Sequence, residues 1–164
     1  MTQEEKLIQY LRRSYTTVDG LWFVMIEDDH GLDMALDFDE KVWKVMGKIQ
    51  AREAGRLAGR TGEPLRDLRH ALALKFQAED YEHQVDETDD GFVFRITRCP
   101  WYEILKRADR EHLAPVLSQR ICVNEYQAWA KEFSCHIKIE KGPCIGAPEC
   151  LLHITSTESN PTTD

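Results

Sequence analysis

The sequence predicts an α+β domain: helices first, then a β-hairpin, two further helices, and two C-terminal strands completing a small antiparallel sheet. Three observations predict it. Apolar residues recur at helical intervals through the first half, as in Leu7, Ile8, Leu11, Tyr15, Val18 and Trp22. Phe92, Phe94 and Ile96 alternate with Val93, Arg95 and Thr97, the period of a strand buried on one face. The strand-like segments do not alternate one for one with helices, which disfavours a doubly wound parallel sheet. A length of 164 residues suits one domain over 1–155, followed by a flexible tail over 156–164. Within that domain, residues 1–78 are helical and residues 79–155 form a cysteine-containing α+β region.

Thr2 and Glu5 have capping-box spacing at the start of the first helix. Gly20 interrupts this run, and Gly31, after Glu27, Asp28 and Asp29, marks its stop. Asp33 is placed to cap a second helix carrying Ala35, Leu36, Val42, Trp43, Met46 and Ile49. The cluster Gly55, Gly59, Gly62 and Pro64 ends it. A third helix follows over 65–77, with Leu65, Leu68, Leu72 and Phe76 on one side. Residues 79–90 hold seven acids and no Lys or Arg, and Asp89-Asp90-Gly91 is a turn signal joining a strand at 81–87 to the one at 92–97. Cys99-Pro100 opens a short helix, since proline is tolerated at the first helical position. A longer helix over 113–133 and strands at 136–140 and 151–155 complete the order.

Charge narrows the function classes. Lys plus Arg is 21 and Asp plus Glu is 29, a net charge of −8, the wrong sign for binding a nucleic-acid duplex. Lys44, Lys48, Arg52, Arg56 and Arg60 form a basic stripe without interleaved aromatics, while residues 27–40 carry seven acids and no Lys or Arg. Such blocks suit solvated faces or the complementary faces of a homodimer. No apolar run is long enough to span a bilayer and no leader opens the chain, so a cytoplasmic protein is expected.

Five cysteines, four of them between 122 and 150, do not suit a secreted disulfide scaffold. Cys122 falls on the long helix beside Tyr126, Trp129 and Phe133, Glu140 ends a strand, and Cys144 and Cys150 flank the tight turn containing Gly142, Pro143, Gly146 and Pro148. Three thiolates and one carboxylate match the four tetrahedral positions of a structural zinc site. The competing reading is burial of cysteines as small apolar side chains. Cys135 reads as a bystander at a helix-to-strand junction.

The stretch Cys122, Tyr126, Trp129, Phe133, Glu140, Cys144, Gly146 and Cys150 resembles the end of the 4-vinyl reductase domain. That resemblance implies zinc held by Cys122, Glu140, Cys144 and Cys150, with Glu149, His136 or His153 as alternatives to Glu140. A second resemblance covers most of the chain. Ser14-Tyr15, Val18-Asp19-Gly20-Leu21-Trp22-Phe23, Val42-Trp43 and Lys48-Ile49-Gln50-Ala51-Arg52 are similar to a family of small cytosolic proteins of unknown function. Cys99-Pro100, Cys122-Val123-Asn124-Glu125 and the run from Gly146 to Cys150 are similar to aminothiazoline-carboxylate hydrolase-like proteins, which carry Asp in place of Glu125.

Two uses of these residues follow. In the first, a zinc-stabilised domain takes a small apolar or aromatic molecule into a pocket walled by Trp22, Trp101, Tyr126 and Trp129. In the second, suggested by the hydrolase resemblance, the protein opens a small cyclic C–N or C–S compound. Cys99 at a helix N-terminus is then the nucleophile, with His112, His136 or the carboxylate Glu125 as its base, or an open metal position activates water. A homodimeric interaction module without chemistry is the third class.

Overall fold

A computed structural model describes residues 1–142 and 149–157 of the chain. It divides into two compact units, Met1–Val42 and Trp43 onward.

The first unit holds helix α1 (Gln3–His30) and the start of α2 (Leu32–Ala58). The capping box forms: the Glu5 amide donates to Thr2 Oγ1 at 3.1 Å, and the Thr2 amide donates to Glu5 Oε2 at 2.6 Å. Gly20 does not break α1. A mid-helix glycine costs about 1 kcal/mol relative to alanine, too little to stop a helix of 28 residues. The stop comes at Gly31, whose φ of 88° lies in the left-handed region that favours glycine. No residue of α1 is buried.

In the second unit, α2 runs on to Ala58, α3 spans Pro64–Glu79, and the hairpin strands are β1 (Glu82–Thr88) and β2 (Gly91–Arg98). After β2 come α4 (Pro100–Arg107), a 3₁₀ turn (Glu111–Leu113), α5 (Ala114–Leu117), a π-helical turn (Ser118–Cys122) and α6 (Val123–Glu132). Strands β3 (Cys135–Lys141) and β4 (Cys150–Ser156) close the order. The strands form one antiparallel sheet in the order β1-β2-β4-β3, so the hairpin and the C-terminal pair share a single sheet.

Register sets its two faces. Phe92, Phe94 and Ile96 lie opposite Ile154, Leu152 and Cys150, and Ile137 and Ile139 opposite Ile154 and Leu152. These residues form the inner face. Ala51 and Ala54 of α2, Leu68, Leu72 and Phe76 of α3, and Trp129 and Ala130 of α6 join them in one core. The other face carries Arg95, Lys138 and His153. Gly91 serves the hairpin turn and also the sheet, because a Cβ there would stand 1.9 Å from the Ile154 carbonyl oxygen.

The expected helix over 113–133 is a run of four short helical pieces. Pro115 is tolerated in the first turn of α5, and the ladder then widens so that the Val123 amide donates to the Ser118 carbonyl. Ser156 and Thr157, assigned to the tail from sequence, belong to the fold: Ser156 pairs with Cys135, and Thr157 Oγ1 donates to the Ser134 carbonyl at 2.9 Å. Residues 158–164 of the expected tail lie outside the described residues, as do 143–148 with Cys144. Among the described residues no helix is long and apolar enough to cross a membrane.

The turn into α3 is organised by Asp67. Its Oδ1 accepts from the Thr61 amide and hydroxyl, each at 2.8 Å, and its Oδ2 accepts from the Gly62 amide at 2.9 Å. Burial raises the carboxyl pKa, but these hydrogen bonds outweigh burial and hold it below the usual carboxylate value. Asp67→Ala is expected to cost roughly 2–3 kcal/mol in urea unfolding, because two backbone amides lose a charged acceptor. Because the folded pKa is depressed, this contribution is present above the unfolded carboxylate pKa and fades on acidification through the folded value.

Candidate functional site

The least ordinary feature of the second unit is a buried group of charges under the helices. Lys75 and Glu79 continue the inner stripe of α3 one and two turns beyond Leu68, Ala71 and Leu72, so helical geometry points them inward. Lys75 Nζ lies 2.6 Å from Glu79 Oε2 and 3.1 Å from Glu125 Oε1 of α6, and its side chain is only 3% exposed. Glu79 also accepts from Gln50 Nε2 of α2 at 3.2 Å and from Trp101 Nε1 of α4 at 3.3 Å. Gly47 lets α2 come this close: a Cβ there would stand 3.3 Å from the Cα, Cγ and carbonyl oxygen of Glu125.

One buried carboxylate, Glu125, and one largely buried carboxylate, Glu79, share one ammonium here, and they are not equivalent. Among the described residues Glu79 has three donors, whereas Glu125 has Lys75 alone to offset its desolvation. Burial therefore raises the Glu125 pKa above the ordinary carboxylate value, Lys75 opposes the rise, and the neighbouring Glu79 adds to it. The two carboxylates raise the Lys75 pKa despite its burial.

Two phenols and three thiols adjoin this group. Lys75 Nζ stands 5.4 Å from the ring centroid of Tyr81. Burial pushes both Tyr81 and Tyr126 well above the usual tyrosine pKa, and nearby acids push in the same direction. For Tyr126 those acids are Glu125, Cys150, Cys122 and Cys99, and for Tyr81 they include Cys99 and Glu125. The thiols come from three places in the chain: Cys99 caps the N-terminus of α4, Cys122 ends the π-helical turn, and Cys150 opens β4. All three are half-buried and pack against the core. Cys135 stands apart in β3, where burial raises its thiol to about 11 and its Sγ donates to the Phe133 carbonyl.

For zinc, the thiols are suitable donors. Cys122 and Cys150 of the sequence-derived ligand set adjoin Tyr126, and Cys144 lies outside the described residues. Glu140, the fourth member, has its carboxylate 2.6 Å from His153 Nε2, and His153 projects from the sheet face opposite Cys150. Among the described residues, no three His, Cys, Asp or Glu side chains are arranged to hold a metal by themselves.

The aromatic residues named as pocket walls separate. Trp22 belongs to the first unit and is 66% exposed. Trp101 packs edge-on against Trp43, with ring centroids 5.3 Å apart, and Trp129 lies fully buried in the core. Tyr126 lines a groove of about 560 Å³ beside β3, together with Val123, Gln127, Ile137, Ile139 and His153. Three bases of the stripe are paired within the unit: Arg52 and Arg60 both hold Glu132 of α6, at 3.0 and 3.2 Å, and Arg56 holds Glu53 at 2.6 Å.

Lys75, Glu79 and Tyr81 do not stand out in the sequence. The one signal there is a Lys and a Glu four residues apart on a stripe that otherwise reads as core.

A family model covers residues 2–150, which takes in both units, the charge cluster and the three described thiols. The chain belongs to the DUF6125 family. The family is described as one of unknown function, so membership adds no activity to the geometry. No curated protein and no solved structure matches this DUF6125 member.

Proposed function

We propose that this DUF6125 protein is a zinc-stabilised domain that binds a small apolar or aromatic molecule. The packing of Cys99, Cys122 and Cys150, from three separate elements, against the one core that contains Tyr126 carries the reading. The proposed ligands are Cys122 and Cys150 together with Cys144; the carboxylate of Glu140 is engaged by His153. Bound zinc would hold its thiols as thiolates and pin the end of the sheet to the helices. Tyr126 links this centre to the groove, where Val123, Ile137 and Ile139 offer apolar contact and Gln127 and His153 offer hydrogen-bonding groups.

Metal analysis of protein purified without added zinc, with a thiol titration, tests this. The expected result is about one zinc per chain, lost in Cys122→Ser and Cys150→Ser and retained in Cys135→Ser. Metal-free protein with five readily titrating thiols sinks the proposal.

A second reading is favoured by one observation: Cys99 and Glu125 both influence Tyr81 and Tyr126, so they share one neighbourhood. In it the protein is a hydrolase of a small cyclic C–N or C–S compound: the Cys99 thiolate attacks the ring carbon, the ring C–N or C–S bond breaks as Glu125 gives a proton to the departing heteroatom, and water then cleaves the Cys99 adduct, freeing the thiol. Selective alkylation of Cys99 at neutral pH supports this version, and ordinary thiol reactivity there removes it.

A further inference from the structure

The charge cluster of Lys75, Glu79 and Glu125 is almost closed off. Its side chains are 3%, 11% and 8% exposed, so little of them meets solvent while the enclosing elements stay in place. Four helices supply the groups that meet there: α3 carries Lys75 and Glu79, α6 carries Glu125, and α2 and α4 bring Gln50 and Trp101. Three of these helices are anchored by fully buried side chains, Leu68, Leu72 and Phe76 on α3, Trp129 on α6 and Ala51 on α2. Helix α4 is not. None of its residues is buried, and neither is any residue from 97 to 112. The nearest buried side chains along the chain are Ile96 before it and Leu113 after it.

Helix α4 is nevertheless shaped to lie against the interior. Trp101, Ile104 and Leu105, at helical spacing, make one half-buried side, while Lys106 and Arg107 are exposed. Trp101 fastens that side: its indole N–H donates to Glu79 Oε2 at 3.3 Å, and its ring meets Trp43 edge-on at 5.3 Å. Local chemistry fixes a bend at each end. Cys99 precedes a proline, which holds it extended at φ −107° and ψ 114° and stops α4 from continuing out of β2. At the other end the exposed Asp109 turns the chain through the left-handed region, at φ 56°.

We infer that α4 is a lid over the charge cluster, hinged at Cys99 and Asp109 and latched by Trp101 on Glu79. The cost of moving an element grows with the apolar surface it gives up, and of the four helices α4 gives up the least. Swinging it outward breaks the bond from Trp101 to Glu79 and bares that carboxylate, with the Cys99 thiol beside it at the hinge. The anchored residues of α2, α3 and α6 stay in place, as gating by a single short element requires. Closed, the lid keeps water from the cluster; open, it is the route by which a solute meets Glu79. The inference goes beyond the zinc reading and stands without it.

Native-state hydrogen exchange of the full chain, followed residue by residue by NMR in water and in low urea, tests this. The amides of α4 are expected to be protected roughly 100-fold less than those of α3 and α6, with a shallow urea dependence, because opening leaves the core folded. The Trp101 indole N–H should exchange in step with them, since the latch breaks in the same event. Trp101→Phe keeps a ring beside Trp43 but removes the donor to Glu79, and should lower α4 protection by about a further 10-fold. Protection of α4 equal to that of α3, or a urea dependence as steep, overturns the lid. An indole protected like the core while α4 exchanges shows fraying that never uncovers Glu79, and overturns it too. Unchanged α4 protection in Trp101→Phe overturns the latch.

Discussion

Replacing Lys75 with methionine is expected to cost the fold about 3–5 kcal/mol at neutral pH, measured by urea unfolding. Methionine fills nearly the same volume, so loss of packing is not the source. Among the described residues Lys75 is the one ammonium shared by a largely buried and a buried carboxylate, with Glu79 Oε2 at 2.6 Å and Glu125 Oε1 at 3.1 Å. Removing it leaves Glu79 with its hydrogen bonds from Gln50 and Trp101, and strands Glu125. Glu125→Gln should cost far less, about 1 kcal/mol or below, because it removes the carboxylate that the site holds least firmly. The two changes should not add: Lys75→Met in the Glu125→Gln background should cost less than Lys75→Met alone. Additive costs would mean that the two side chains are not coupled.

The same cluster sets a pH dependence. The folded Glu125 pKa is raised above its ordinary value of 4.5, so over the interval between the two the folded chain holds a proton that the unfolded chain has released. Stability contributed by Glu125 is therefore greatest below the unfolded value and falls as pH rises through the folded one. Asp67 acts in the opposite sense, so the two slopes separate on mutation: Glu125→Gln removes the fall with rising pH, and Asp67→Ala removes the fall on acidification.

Local chemistry was legible in the sequence wherever one residue type has one use. The capping box at Thr2, the stop at Gly31 and the turn before Gly91 all sit at the elements they predict. The order β1-β2-β4-β3 was not legible, because it depends on pairing across more than fifty residues, as Phe94 with Leu152. Nor was the π-helical turn, since the run through Ser118 and Cys122 has the same apolar periodicity as a regular helix. The charge cluster escaped for a related reason: Lys75 reads as one more base beside the basic stripe until α6 and α4 bring Glu125 and Trp101 to it. The cysteines show what spacing can and cannot do. It drew attention to Cys122 and Cys150, but Cys99 is 23 residues before Cys122 and joins them through the geometry of the sheet end.

Trp129→Ala is expected to destabilise the protein by about 3–5 kcal/mol, among the largest effects of any single truncation in this chain. Aromatic spacing on α6 admitted a pocket wall, although such spacing more often marks the core. Its side chain is fully buried within the cluster of Phe76, Phe94, Leu152 and Ile154, and its ring stacks on Phe133 at a centroid distance of 6.4 Å. Trp129→Phe separates volume from polarity. Among the described residues the buried indole Nε1 has no hydrogen-bond partner, so phenylalanine removes an unsatisfied donor while keeping most of the ring. The expected cost of Trp129→Phe is about 1–2 kcal/mol, well below that of alanine. A pocket residue would behave differently: truncating a wall that faces a cavity relieves no packing and leaves unfolding almost unchanged. Equal stability of Trp129→Ala and wild type would therefore place Trp129 on a binding surface and remove it from the core.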